Sequence, residues 1–495
     1  MFILINVITF TFIKINMTTY IVNHNIVGYL LNFLVISDIA SLARVNSAIN
    51  RVVRNSKIYN QMQQLLEKFK YNLKFKPRNI KSDSEYFKNI RLELCYEEGM
   101  LEIIKTYYRN GVDIYSKQGI QAACQKGHLT ILQWLKDNDF KVEYGDYHIE
   151  LASCGGHIAI LEWLKSNGVE FKSTFRGIYS ASGNCHIKVL DWFKNNDLEI
   201  EVNEDTIDYA ADRGHVAVLE WFKNNGISLD QSNFAIDLAS QNGDTAVLDW
   251  FYKNSIAFKY TTHAIDWACY FNRIATLNWF KDHNMALKYS ECAISWAANN
   301  GHIGILDWFK NNSYAIIYHN YAIDNAAACG HVTVLEWFKN NGYKMEYTSA
   351  AINKATANGH VSVLNWFYNK SKLVLKYSDT AINIASRDGH IAVLEWFKKS
   401  KLKFKYNHKA IDCAAMFGHI NVLDWFKNNN YKIKYTENAI IWAMERGHIS
   451  VLNWFKANNL EFKCCKDTVK MAKYKHEEVH DWYKINRGLF KLYVN

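Results

Sequence analysis

The chain has 495 residues, 49% of them hydrophobic and 15% aromatic, with 58 basic against 48 acidic side chains and a net charge of +10. This composition excludes a disordered polypeptide, and the single proline, Pro77, argues against a loop-rich β fold. The modest positive balance permits an acidic partner without requiring nucleic acid.

Residues 1–19 form an extension. Its first sixteen residues, MFILINVITFTFIKIN, are apolar but lack the basic start and small-residue cleavage site of a signal peptide. They are also too short to span a bilayer, and Met17 is an alternative start. Ten cysteines are scattered without a CxxC pair, as expected of buried thiols in a reducing compartment. An intracellular, cytoplasmic protein with no membrane partner is the expectation.

Residues 20–60 carry three short amphipathic stretches. Ile26, Leu30, Leu31, Phe33 and Leu34 mark a first helix, and Asp38 or Ser37 caps a second. Ile39, Leu42 and Val45 line that second helix, and Ile49, Val52 and Val53 a third. So small a helical module leaves part of its core for a partner to complete. Residues 61–83, with Lys68, Lys74, Lys76 and Arg78 around Pro77, read as a linker.

The module resembles an F-box. Val22 and Asn23 stand at its Leu-Pro, Ile26 and Leu30 at its first apolar positions, and Phe33-Leu34 at its Tyr-Leu. Asp38-Ile39 matches Asp-Leu, Leu42 and Val45 match Leu-xx-Val, and Ile58-Tyr59 matches the terminal Leu-Trp. The proline is missing, and Ile49 replaces an aromatic. The resemblance implies docking onto a Skp1-type adaptor through Ile26, Leu30, Phe33, Leu34, Asp38, Ile39, Leu42 and Val45. Whatever follows the module would then select a substrate for ubiquitination.

From residue 84 to 485 the sequence repeats. Trp134, Trp163, Trp192, Trp221, Trp250, Trp279, Trp308, Trp337 and Trp366 follow one another at 29 residues, and Trp396, Trp425 and Trp454 continue after a one-residue slip. A fixed period of this length predicts an all-α solenoid of helix hairpins. In AIDNAAACGHVTVLEWFKNNGYKMEY, residues 322–347, Ile323 and Ala326 share one face of a first helix. Gly330 ends that helix, and Val332, Val334, Leu335, Trp337 and Phe338 form the apolar stripe of a second. Asn340, Asn341 and Gly342 stop it, and an alternating connector such as LKFKY (402–406) leads on. An acidic residue before the Trp and Lys two after it predict weak surface pairs of about 0.2–0.5 kcal/mol each.

The unit resembles the ankyrin repeat, with AIDxA at the place of TPLHxA and GHxxVLxWFKxNG at that of GHxxVVxLLLxxGA. Residues 92–111 make an atypical first unit and 469–483 a worn last one, which leaves 486–495 as a tail. About thirteen units are expected, degenerate ends included. Each is about four residues shorter than the usual 33, which implies a projecting hairpin clipped to a short loop. F-box proteins with ankyrin arrays resemble host-range factors of large DNA viruses. The Asn-, Lys-, Ile- and Tyr-rich composition fits an AT-rich genome of that kind, although protists share the bias.

Recurrent histidines such as His331 are read as helix-end hydrogen bonders, because one imidazole per repeat cannot supply the four donors zinc prefers. The tryptophans belong to the core stripe. Connector residues Lys259, Tyr260, Lys288, Tyr289, Tyr347, Lys376, Tyr377, Lys405, Tyr406, Lys434 and Tyr435 suggest an exposed Lys-Tyr edge for a target. Against this stands the favoured reading that Tyr seals the next helix pair while Lys keeps the edge soluble. No nucleophile elbow, phosphate loop or dinucleotide fingerprint occurs, so no catalytic, cofactor or metal residues are expected. The expectation is a monomeric, non-enzymatic adaptor that binds an unidentified protein and a Skp1-like partner. A scaffold without a ubiquitin role is the second reading, and a nucleic-acid-binding solenoid a distant third.

Overall fold

The computed structural model describes residues 92–109, 111–230, 232–319, 321–371, 373–465 and 476–493. The extension, the F-box-like module with Ile26 through Val45, and the linker lie outside them. Among the described residues, twelve helix pairs follow one another, from Lys117–Lys126 with Leu129–Asp137 to Glu437–Glu445 with Ile449–Ala457. Over the described residues the fold is all-α apart from one small strand pair near the carboxyl end. Among the described residues no helix is long and apolar enough to cross a membrane. The array divides into two compact units, residues up to Ala235 with Asn254–Ala257, and Ile236–Lys253 with Phe258 onward.

Within a repeat the sequence pattern explains the geometry. In Tyr321–Ala328, Ile323 and Ala326 are fully buried, and the small alanine lets neighbouring first helices approach. Gly330 adopts φ 83°, and the following His331 N–H donates to the Ala326 carbonyl at 2.9 Å, closing the helix. Val334, Leu335, Trp337 and Phe338 are buried in Val332–Asn340, each worth about 1.5–3 kcal/mol for the larger side chains. Asn341 folds its amide back onto the Trp337 carbonyl at 2.8 Å, which ends the second helix.

Between repeats, side chains reach about one period along the chain. Indole N–H groups donate to the residue that precedes the tryptophan of the repeat before: Trp221 to Asp191 at 2.8 Å, Trp337 to Asp307 at 2.7 Å and Trp454 to Asp424 at 2.6 Å. Asn278, Asn365 and Asn453 accept in the same way from Trp308, Trp396 and Trp482. In many repeats the lysine two after the tryptophan reaches forward to an asparagine, as Lys165 does to Asn196 and Lys456 to Asn486, both at 2.8 Å, while Lys339 reaches the Lys370 carbonyl. The expected acid–lysine pairs within one helix give way to these inter-repeat bonds. The reason is geometric: a buried indole N–H needs an acceptor, and the preceding repeat supplies one.

The one-residue slip has a structural answer. The second helix of that repeat begins as Val361–Asn365 and turns into a π-helical segment, Trp366–Lys370. Ser371 N–H closes it on the Trp366 carbonyl, five residues back, at 2.9 Å. A π turn absorbs one extra residue while Trp366 and Phe367 stay buried.

The carboxyl end departs from expectation. Helix Glu477–Asn486 keeps the lattice, with Trp482 donating to Asn453. The residues read as a tail instead include a strand, Phe490–Tyr493, parallel to Phe462–Cys465 with Phe462 opposite Phe490. Phe490 lies 5.1 Å from the Phe462 ring and 4.9 Å from Tyr483, so aromatic packing holds the end in place.

Candidate functional site

Two groups of conspicuous residues prove to be internal structure. Histidines at the GH position turn their Nε2 to a carbonyl at the end of the preceding first helix, as His186 does with Cys154 at 3.0 Å and His390 with Ala357 at 2.7 Å. Burial lowers the pKa of His157, His331 and His448, which favours the neutral ring. Arg273, which replaces histidine once, donates from Nε to Gln241 at 3.2 Å. Among the described residues no three His, Cys, Asp or Glu side chains come together as metal ligands.

The connector tyrosines do not form the exposed edge suggested for a target, and they sit instead as in the favoured reading. Tyr260 and Tyr347 are buried, and Tyr289, Tyr377, Tyr406 and Tyr435 are half-buried. Each hydroxyl donates to a carbonyl of the next connector: Tyr260 to Ala286 at 2.6 Å, Tyr289 to Ala315 at 3.0 Å, Tyr377 to Lys403 and Tyr406 to Lys432 at 2.8 Å, and Tyr435 to Glu461 at 3.2 Å. Tyr347 donates to Val374 likewise. Lysines of the following repeat cover the rings, with Lys288 Nζ 4.3 Å from the Tyr260 centroid and Lys376 4.8 Å from Tyr347. Lys405 stands 5.2 Å over Tyr377 and Lys434 4.3 Å over Tyr406. Lys259 is exposed. Desolvation raises the pKa of Tyr260, Tyr289, Tyr347, Tyr377 and Tyr406. The rings seal one repeat against the next, and only the lysine heads face solvent.

Surface free of such duties lies on the outward face of the first helices. The position six before the histidine place is only partly buried and changes freely: Trp267, Trp296, Asn325, Lys354, Ile384, Cys413 and Trp442 occupy it in successive repeats. The alanine next to it does not vary, because it is buried. On this face one cluster stands out. Helix His263–Tyr270 presents Trp267, with the His263 ring stacked on it at 4.7 Å, and Tyr270, which is 39% exposed. Phe271, at the helix end, is 42% exposed and 4.8 Å from Tyr270. Trp296, on the neighbouring helix Glu291–Asn299, meets Tyr270 edge-on at 5.7 Å.

These rings were missed at the sequence level, yet a signal existed. Sixteen tryptophans occur, and Trp267, Trp296, Trp442 and Trp482 fall outside the 29-residue series. Trp482 still joins the inter-repeat bonding through Asn453, but Trp267, Trp296 and Trp442 stand on first helices, where the period calls for no tryptophan. Among the described residues neither the Trp267 nor the Trp296 indole N–H has an acceptor, whereas periodic indoles such as Trp279 and Trp308 donate to the preceding repeat. Four exposed or half-exposed rings, two of them indoles with unspent donors, suit a desolvated protein contact, where Trp and Tyr dominate binding energy.

No protein-family model matches the chain, and no curated protein matches it. Among solved structures, the chain is similar to the ankyrin repeat domain of human ASB11, with a TM-score of 0.30 and 18% identity over 38% of this chain and 96% of that one.

Proposed function

We propose that this protein is a binding scaffold whose first-helix face grips a partner protein through Trp267, Tyr270, Phe271 and Trp296. The exposed aromatic cluster on otherwise lattice-bound repeats is the observation that carries this reading. The test is proximity labelling in the native cell with the wild type and a Trp267→Ala/Trp296→Ala variant. A partner labelled at least tenfold less by the variant, with its melting temperature unchanged, supports the reading. An unchanged partner set refutes it.

A finer reading makes the scaffold a ubiquitin-ligase adaptor, with residues 20–60 docking on a Skp1-type protein through Ile26, Leu30, Phe33, Leu34, Asp38, Ile39, Leu42 and Val45. Its support is the gapless F-box register from Val22 to Tyr59. Pull-down with Skp1 should succeed for the wild type and fail for Leu30→Asp/Leu42→Asp. Failure of both removes the adaptor role and leaves the scaffold.

A further inference from the structure

Between Lys398 and Tyr435 the chain holds nine lysines, no arginine, no glutamate and two aspartates, an excess of seven positive charges in a chain whose whole excess is ten. Both aspartates are spent inside the fold. Asp412 is buried and accepts from Thr436 N–H at 2.8 Å and Oγ1 at 2.7 Å, and Asp424 accepts the Trp454 indole. The lysines are exposed, and Lys401, Lys403, Lys405, Lys432 and Lys434 lie in or beside two successive connectors.

The connectors explain the arrangement. In LKFKY the lysines alternate with Phe404 and Tyr406, whose rings stack inward, Phe404 on Tyr431 at 4.5 Å and Tyr406 against Phe426 at 5.1 Å. Alternation in an extended segment puts Lys403 and Lys405 on one side, about 6.6 Å apart at some 3.3 Å per residue. Lys432 and Lys434 repeat the pair one period on, about 8–10 Å away if the connectors keep the spacing of packed helices. Lys434 Nζ sits over the Tyr406 ring, which fixes the two rows in register. Four exposed lysines thus stand as a two-by-two grid of backbone positions, the Lys405 and Lys434 heads lying over Tyr377 and Tyr406, with no carboxylate in ion-pair reach among the described residues.

We infer that this grid docks an extended acidic polypeptide segment rich in Asp and Glu, on a surface separate from the aromatic cluster. An extended partner presents alternate carboxylates at the same interval as the lysines, so several pairs form together. Two observations favour carboxylates over nucleic acid. The field has no arginine, the side chain best shaped for bidentate phosphate. Its rings are packed inward, leaving no platform for base stacking.

The test uses the full chain and fluorescence anisotropy with a labelled twenty-residue Asp/Glu peptide, a twenty-nucleotide single strand, the matching duplex and phosphatidylserine vesicles. The wild type should bind the peptide more tightly than the other three probes at the same salt. Lys403→Glu/Lys405→Glu/Lys432→Glu/Lys434→Glu should weaken peptide binding at least tenfold. The equally charged control Lys136→Glu/Lys165→Glu/Lys194→Glu/Lys223→Glu should change it less than threefold, and circular dichroism should show both variants folded. If either variant unfolds, the same sites changed to Gln give the readout. Tighter binding to nucleic acid or vesicles, no peptide binding, or equal loss in the control overturns the inference. The Trp267/Trp296 test is unaffected by any of these outcomes.

Discussion

Asp266 offers the sharpest test of how the repeats are joined. Its side chain is 3% exposed and accepts from Ser290 N–H at 2.9 Å and Ser290 Oγ at 2.7 Å, tying one first helix to the cap of the next. Asp237, Asp324 and Asp412 do the same with Thr261, Thr348 and Thr436. Changing Asp266 to Ala removes two bonds to a charged acceptor, each worth about 1.5–3 kcal/mol net. Relief of the cost of burying the carboxylate offsets part of that, so the net loss should be about 2–4 kcal/mol. Asn should cost under about 1 kcal/mol, since an amide oxygen still accepts; Asn383 already plays that part, taking the Asn407 N–H at 3.2 Å. Desolvation raises the Asp266 pKa above the ordinary 3.8, against the lowering effect of the Ser290 bonds. The folded state then holds the proton more tightly than the unfolded one. The stabilisation from this group is therefore complete below pH 3.8 and declines as pH rises through the folded-state pKa. The Asn variant lacks this slope and should gain on the wild type as pH rises. Repeat arrays open locally, so hydrogen exchange at the Ser290 amide is the suitable assay, run from pH 3.5 to 7 beside urea titrations. Equal damage from Asn and Ala, or a pH-independent gap between Asn and wild type, would refute the reasoning.

Gly127→Ala should cost about 2–3 kcal/mol by thermal or urea denaturation. Gly127 has φ 84°, and an added methyl would lie 2.6 Å from His157 Cε1, so left-handed strain of about 1–2 kcal/mol joins displacement of a ring bonded to Gln125. Combining it with His157→Ala should cost about 1 kcal/mol less than the two changes summed, and strict additivity would show that the ring and the glycine do not meet. Trp337→Phe should cost about 1–2 kcal/mol by losing the bond to Asp307, whereas Asp307→Asn should be nearly neutral, because Asn278 and Asn365 already serve in that place. A costly Asp307→Asn in the same denaturation assay would show that the charge itself matters.

Much of the fold was legible because repetition exposes its own rules. Ile323, Ala326, Trp337 and Phe338 recur at fixed places since each repeat buries the same face against a like neighbour, and a single period suffices to read helix, turn and helix. The helix-end bonding of the histidines was legible too, because most follow the glycine that ends a first helix. Harder to read were contacts about one period apart. A helical wheel of one repeat places Asp307 beside Lys310 and cannot show that it faces the Trp337 indole. For the same reason Tyr406 looked exposed until the next connector's Lys432 carbonyl and Lys434 ammonium were seen to close over it.

Alone, then, the sequence determined the helix hairpins, their period, their capping and the identity of the core, because these depend on spacing within about 29 residues. Tertiary structure alone decided which surface remains unspent: it closed the tyrosines, engaged the acidic residues, turned the inserted residue into a π turn at Trp366–Lys370, and left the Trp267–Trp296 cluster and the connector lysines facing solvent. Exposure is a property of neighbours about 24–32 residues away, and it emerges only when one repeat is laid against another.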